Sequence, residues 1–265
     1  MTFFELMQAV QKDPLDVTVP ARWAQGRASF GGLVAALAYG AMRDKAQPGR
    51  PVRSLAITFV GPMEAEVPAR FEAEVLREGK AVSQMFCRVR QGDQTVAVVQ
   101  GSFGAARDSA IAVEGEPAPV IKAPDACQEL PYLRGVTPEF TRYLAMRWGI
   151  GGMPFTNNPS REMGGWVRLR GEVEEAPVDE ALLLALVDAW PPAVLPHLRS
   201  PVPGSSLTWT IEFVQPAPAL STLDWCLYRA EIDHARDGYG HISARLWTPA
   251  GELVALSRQT VAVFG

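Results

Sequence analysis

Phe30-Gly31-Gly32-Leu33-Val34-Ala35-Ala36-Leu37-Ala38-Tyr39-Gly40-Ala41-Met42-Arg43-Asp44 has no charged side chain before Arg43. Over three turns this leaves no solvated face, so the stretch predicts a helix buried all round. Each interior glycine costs about 1 kcal/mol of helix propensity relative to Ala. A helix that carries this cost needs thin sides, so that something can wrap closely around it. A second such helix is expected over 178–190, wholly apolar from Ala181 to Val187. Asp179 suits its start, and Pro191-Pro192 end it.

Strand patterns follow each buried helix. Ser54-Leu55-Ala56-Ile57-Thr58-Phe59 alternates small or polar residues with large apolar ones, and Ser206-Leu207-Thr208-Trp209-Thr210-Ile211-Glu212-Phe213 does so more strictly. Further strands are expected over 69–77, 83–90, 94–103, 225–233, 240–247 and 253–264, with turns at Glu78-Gly79, Gln91-Gly92-Asp93 and Pro249-Ala250-Gly251. The two halves repeat: Phe59-Val60-Gly61-Pro62 corresponds to Phe213-Val214-Gln215-Pro216, and the interval from Pro62 to Ala97 resembles that from Pro216 to Ala255. One helix followed by antiparallel strands, twice over, indicates a duplicated α+β unit. A sheet curled around one central small-residue helix is a hotdog. The expected fold is therefore a double hotdog, two tandem curved antiparallel sheets each wrapping a central helix. The expected division is 1–110 for the first module, 111–131 for a linker within the Pro-rich stretch 105–131, and 132–265 for the second.

Composition narrows the function. At 265 residues, with 48% hydrophobic and 20% charged residues, the chain has the balance of a globular protein of one large or two modest domains. A net charge of −4 argues against general nucleic-acid binding, which needs clustered excess Lys and Arg. No basic residue precedes Phe3-Phe4, so no signal peptide is read there, and no apolar run reaches the ~18 residues of a membrane helix. Cys87, Cys127 and Cys226 are far apart and read as free thiols, which suits a cytoplasmic protein. His197, His234 and His241 show no metal spacing, with the last two expected near a strand turn. There is no Gly-x-Ser-x-Gly elbow, Walker loop or dinucleotide fingerprint, so neither metal nor cofactor is expected.

The order of these motifs resembles the type II acyl-CoA thioesterases and their thioesterase-like relatives. Phe30-Gly31-Gly32 opening a buried helix is similar to that family's first-helix signature. Leu76-Arg77-Glu78-Gly79-Lys80, followed by a strand and Gln91-Gly92, is similar to its second. Val187-Asp188-Ala189-Trp190-Pro191-Pro192 resembles the helix end that carries the family's catalytic Asp, and Leu253-Val254-Ala255 with Gln259 resembles the strand that carries its Gln. The family's third residue is a hydroxyl, usually Thr. Counting back from the Phe213/Pro216 landmark places it on Ser206, with Ser205 as the rival if the register slips by one. The likeness covers about 23–103 and 165–263.

The resemblance implies an acyl-CoA substrate, hydrolysed by a water held between Asp188, Ser206 and Gln259. Such chemistry is undemanding at the leaving group: a thiol with a pKa near ~8.5, if it resembles Cys, departs as thiolate without a dedicated acid. What remains is an oriented water, a base and donors for the oxyanion. Burial at the end of an apolar helix would raise the pKa of Asp188 and make it a better base. Backbone N–H groups at Phe30-Gly31-Gly32 are candidates for the oxyanion. Simple alternation puts Ser206 with Thr208, Thr210 and Glu212, on the face turned away from the helix. Two other readings are a hotdog that binds an acyl thioester or lipid without turnover, favoured if Ser206 or Gln259 faces the helix, and an enoyl-thioester hydratase, which lacks its Asp/His pair. Arg53, Arg77 and Arg88 are candidates for the CoA phosphates. Exposed sheet edges suggest a homo-oligomer.

Overall fold

The computed structural model describes residues 1–171 and 173–264. The helices are α1 (Phe3–Lys12), α2 (Gly31–Arg43) and α3 (Glu180–Asp188). The longer strands of the N-terminal half are β4 (Val52–Phe59), β5 (Pro68–Glu78), β6 (Val82–Gln91) and β7 (Gln94–Gly104), after the short β1 (Val17–Thr18), β2 (Ala24–Gln25) and β3 (Ala28–Ser29). The C-terminal half has β8 (Gln128–Glu129), β9 (Leu144–Ile150), β10 (Glu162–Leu169), β11 (Gly204–Phe213), β12 (Cys226–Arg236), β13 (Tyr239–Trp247) and β14 (Leu253–Val263).

The double hotdog is present, and its two sheets are fused. They run edge to edge in the order β1-β5-β6-β7-β4-β11-β14-β13-β12-β10-β9-β8. The junction is the antiparallel pair β4 and β11, from Thr208 opposite Thr58 to Glu212 opposite Ser54. The repeat is visible in the register. Phe59 pairs with Ala97 in the first half, as Phe213 pairs with Ala255 in the second. Among the described residues no helix is long and apolar enough to cross a membrane.

Both central helices are enclosed: every residue from Gly32 to Met42 in α2 and from Ala181 to Val187 in α3 is buried. They pack antiparallel, and glycine lets them approach. A Cβ on Gly32 would lie 2.9 Å from the Leu184 carbonyl oxygen, and one on Gly40 would lie 2.8 Å from the Met7 methyl of α1. The other end of the helix pair is held by polar groups. Tyr39 donates to Glu180 (3.0 Å), Gln215 donates to the same carboxylate (3.0 Å), and Arg43 pairs with Asp179 (3.0 Å). Asp179 also caps α3 by accepting from the Leu182 N–H (3.0 Å). That satisfies one of the orphan donors of a helix start.

The sequence reading missed three features. The helix α1 is closed by a capping box between Thr2 and Glu5. The strands β9 and β10 are interrupted by a bulge at Gly164/Gly165. The stretch after β7, read as a linker, lies strapped onto the C-terminal half. Trp247 donates to the Glu116 carbonyl (2.8 Å) and Trp166 to that of Lys122 (2.9 Å).

Asp179→Ala removes both the cap of α3 and the partner of Arg43. It is expected to cost about 1–2 kcal/mol of stability, mostly from the cap. A urea midpoint unchanged from wild type would show that the helix start does not depend on this carboxylate.

Candidate active site

Pro191 and Pro192 cannot continue α3, so the helix stops at Asp188. The Asp188 side chain is thereby placed at the helix end, against the start of α2. Gln259, at the middle of β14, donates from Nε2 to Asp188 Oδ1 at 2.9 Å. The Gly32 backbone N–H donates to the same carboxylate. The second oxygen, Oδ2, faces Gly31, where a Cβ would stand 2.9 Å from it and 3.2 Å from the Phe59 ring. The acid and the amide thus come from the C-terminal half, and the glycine floor and the Phe59 wall come from the N-terminal half.

Asp188 keeps a small solvent-accessible share. It is nonetheless crowded enough that desolvation pushes its carboxyl up to about 7, against the opposing pull of the Gln259 and Gly32 donors. A carboxylate that both takes and gives up protons near neutrality is matched to proton transfer in neutral water. The Gly32 N–H, read from the sequence as an oxyanion donor, is instead committed to Asp188.

The placement of Ser206 corrects the sequence reading. Period-two alternation set Ser206 with Thr208, turned away from the helix. The ladder between β11 and β14 carries a bulge at Leu207: Ser206 lies opposite Val261, while Thr208 lies opposite Thr260. The extra residue flips the face. Ser206 therefore shares a side of the sheet with Val261, Gln259 and the fully buried Trp209, and that side faces α3. Among the described residues no hydrogen bond ties its hydroxyl to Asp188 or Gln259. Ser205 pairs with Ala262 on the other face and is exposed. Because Asp188 itself stands over the helix-facing side, Ser206 and Gln259 facing the helix does not by itself favour a non-catalytic binder.

An aromatic wall that sequence reasoning left as generic core stands beside the acid. Tyr228 stacks on Trp190 (5.2 Å between centroids, 5° between planes), and Trp148 leans on Trp190 at 4.7 Å. Burial, and then the Asp188 charge, push the Tyr228 hydroxyl upward. The candidate phosphate residues do not gather here. Arg53 donates to the Gly104 carbonyl (2.9 Å), Arg88 lies over Phe86, and Arg77 lines a cleft at the turn between β5 and β6. Among the described residues no group of three His, Cys, Asp or Glu side chains could hold a metal ion. Burial pushes the Cys87 and Cys226 thiols up to about 12, so neither is a ready thiolate.

The duplicated positions of the N-terminal half are filled differently. With Phe59/Ala97 standing for Phe213/Ala255, Val52 takes the place of Ser206 and Gly101 that of Gln259. Even the bulge recurs, at Arg53. The helix contact that joins Gly32 to Asp188 is mirrored by the one that joins Glu180 to Tyr39.

A sequence model of the acyl-CoA thioesterase C-terminal domain matches residues 124–263, and one of the acyl-CoA thioesterase N-terminal domain matches residues 19–104. Among curated proteins nothing matches. Solved structures similar to this chain include a hot dog protein of unknown function from Alicyclobacillus acidocaldarius (23% identity, TM-score 0.80, covering 94% of this chain and 92% of that one). The tesB protein of Mycobacterium avium subs paratuberculosis is similar at 19% identity, TM-score 0.77 and 98% of both chains. The acyl-CoA thioesterase II of Mycobacterium marinum follows at 20% identity, TM-score 0.73 and 94% and 92% coverage. At these identities the likeness is one of fold.

Two substitutions probe the geometry. Gln259→Ala removes a donor that holds the Asp188 carboxyl down, so that carboxyl should ionise at a higher pH than in the wild type. The shift is readable by NMR titration of Asp188, and an unmoved titration would mean that the 2.9 Å contact does not act on the ionised form. Gly31→Ala sets a methyl against Oδ2 and the Phe59 ring. It should lower the reactivity of the site about 10²-fold with the melting temperature nearly unchanged, the loss expected when a reacting group is displaced by about an ångström.

Proposed function

Since the chain belongs to the acyl-CoA thioesterase family, and so is a thioester hydrolase, we propose that it hydrolyses acyl-CoA to the free acid and CoA through a water activated by Asp188 and held in line by Gln259 and Ser206. The observation that carries this reading is the Gln259–Asp188 hydrogen bond on a carboxyl raised to about 7.

The ionised Asp188 takes a proton from water as the water oxygen bonds to the thioester carbonyl carbon. The carbonyl π electrons move to oxygen. Their return breaks the carbon–sulfur bond, and CoA leaves as a thiolate, which recovers the proton from Asp188 or from solvent. Gln259 has two tasks. Its Nε2 fixes Oδ1, and its carbonyl oxygen is left to accept from the attacking water. The Ser206 hydroxyl, brought to this face by the Leu207 bulge, supplies a second donor and acceptor. Such an arrangement depends on a single proton carrier, so the rate should rise with pH through about 7 and level off above it.

A thiol-release assay tests the proposal. Asp188→Asn keeps the shape and the acceptor for Gln259 and Gly32 but cannot take a proton. It should lose about 10²–10⁴ in kcat while still binding acyl-CoA. Retained hydrolysis would remove Asp188 from the reaction. Binding without turnover in the wild type would establish the alternative reading, a protein that holds an acyl thioester without cleaving it.

A further inference from the structure

We infer that the open cleft beside the β5–β6 turn binds the diphosphate of a nucleotide, at a site separate from Asp188 and independent of the thioesterase reading. The turn is held from behind. The nearly buried Arg50 side chain donates to the carbonyls of Gly79 and Lys80 (3.0 Å each), to the Ser83 hydroxyl (2.8 Å) and to the Glu78 carboxylate. The acid of the turn is thereby neutralised and two of its carbonyls are occupied. The chain after β7 forms the other wall: the Ala105 N–H donates to the Ala81 carbonyl (3.0 Å), which keeps the following residues beside the turn.

Between these segments lies a cleft of about 940 Å³, and Arg77, Lys80 and Arg107 line it. Among the described residues none of the three makes an ion pair or a side-chain hydrogen bond, whereas Arg50, Arg53 and Arg90 of the same half are all engaged. Asp108 is the one carboxylate in the lining, so the cleft carries an excess of two positive charges on a chain whose net charge is −4. A neutral donor joins them. The bulge at Leu76 sets Arg77 opposite Gln84. Gln84 Oε1 accepts from the Ser102 hydroxyl (2.9 Å), which leaves Nε2 to donate into the cleft. Concave walls concentrate the field of like charges, and the arginine fork matches phosphate oxygens in pairs. Two linked phosphates suit three cations and an amide, while Ala81, Val82 and Ala106 offer apolar surface to a base. The volume is that of a small-molecule site.

The cleft lies away from the acid. Ser83 and Met85 are on the buried side of β6, so Val82 and Gln84 stand on the outer face of the sheet. Through Phe103, Ser83 is level with Val52, seven residues along β4 from the Phe59 wall. At ~3.4 Å per residue that is about 24 Å.

Calorimetric titration of the full chain with ADP and with pyrophosphate tests the assignment. ADP should bind once per chain, pyrophosphate more weakly, and both should weaken as NaCl rises from about 50 to about 300 mM. Arg77→Gln and Arg107→Gln, at exposed positions, should each weaken ADP about 10-fold. Arg88→Gln, an exposed cation outside the cleft, should bind as wild type does. CoA in place of ADP separates two sources of the same chemistry: an affinity for CoA that falls in Arg77→Gln assigns the nucleotide end of the coenzyme, and one that does not assigns a free nucleotide. Absence of binding by ADP and pyrophosphate overturns the inference. So does ADP binding that survives both cleft substitutions, or that weakens equally in Arg88→Gln, because the anion would then be drawn to the surface at large. None of these readouts depends on thiol release.

Discussion

The site depends on one carboxylate held where water reaches it and the protein disfavours its charge. Asp188 stands at the carboxyl end of α3, where the helix dipole is unfavourable to an anion, among neighbours that strip away much of its hydration. Two donors make this tolerable, the Gln259 amide and the Gly32 N–H. Gln259 reaches it from the sheet of the same half, and the Gly32 N–H could not reach it if the helices stood farther apart. The small residues at the start of α2 serve this closeness: methyl groups at Gly31 or Gly32 would meet the Asp188 side chain at 2.9 Å. The helix propensity that these glycines forgo is recovered by enclosure on all sides and by the clamp of Tyr39, Arg43, Asp179 and Glu180 at the far end of the helix pair.

The duplication explains why the acid and its glycine floor come from different halves. Two hotdogs packed helix to helix create two equivalent places, one at each end of the α2–α3 pair. At one end stand Asp188, Ser206 and Gln259. At the other the ladder puts Val52 and Gly101 in the places of Ser206 and Gln259, and the space is taken by packing. Tyr39 stacks beside Phe103 (6.2 Å), and a Cβ on Gly101 would meet Phe103 and Leu55. One end thus gathers polar side chains at a buried carboxylate and the other is filled by packing that holds the halves together, an arrangement open to a fused duplicate but closed to two identical copies.

Much of this was legible in the sequence because it rests on periodicity and on landmarks. The all-apolar stretches of α2 and α3 and the repeated Phe-Val-x-Pro motif indicated the architecture, and the family resemblance pointed to Ser206 by counting back from Phe213/Pro216 and to Gln259 through Leu253-Val254-Ala255. What was not legible has a common cause: alternation assumes an unbroken ladder. The bulge at Leu207 reversed the expected face of Ser206, and the bulge at Gly164/Gly165 hid β9 and β10. The fate of the Gly32 N–H depended on tertiary approach, which no local pattern reports. Helix α1 was readable, since Thr2-x-x-Glu5 before Leu6, Met7 and Val10 is a capping box followed by a helical apolar stripe.

The most direct measurement is the stability of wild type and Asp188→Asn as a function of pH, by denaturant unfolding. A carboxyl raised from 3.8 to about 7 in the folded protein binds a proton that the unfolded chain has already released, so its stabilising contribution is full below about 4 and is lost as pH rises towards 7. The account predicts that the variant's stability relative to wild type grows across this interval, by on the order of 1–3 kcal/mol, and is constant above it. Parallel curves for the two proteins would contradict it, because Asp188 would then ionise in the folded protein as it does in the unfolded chain.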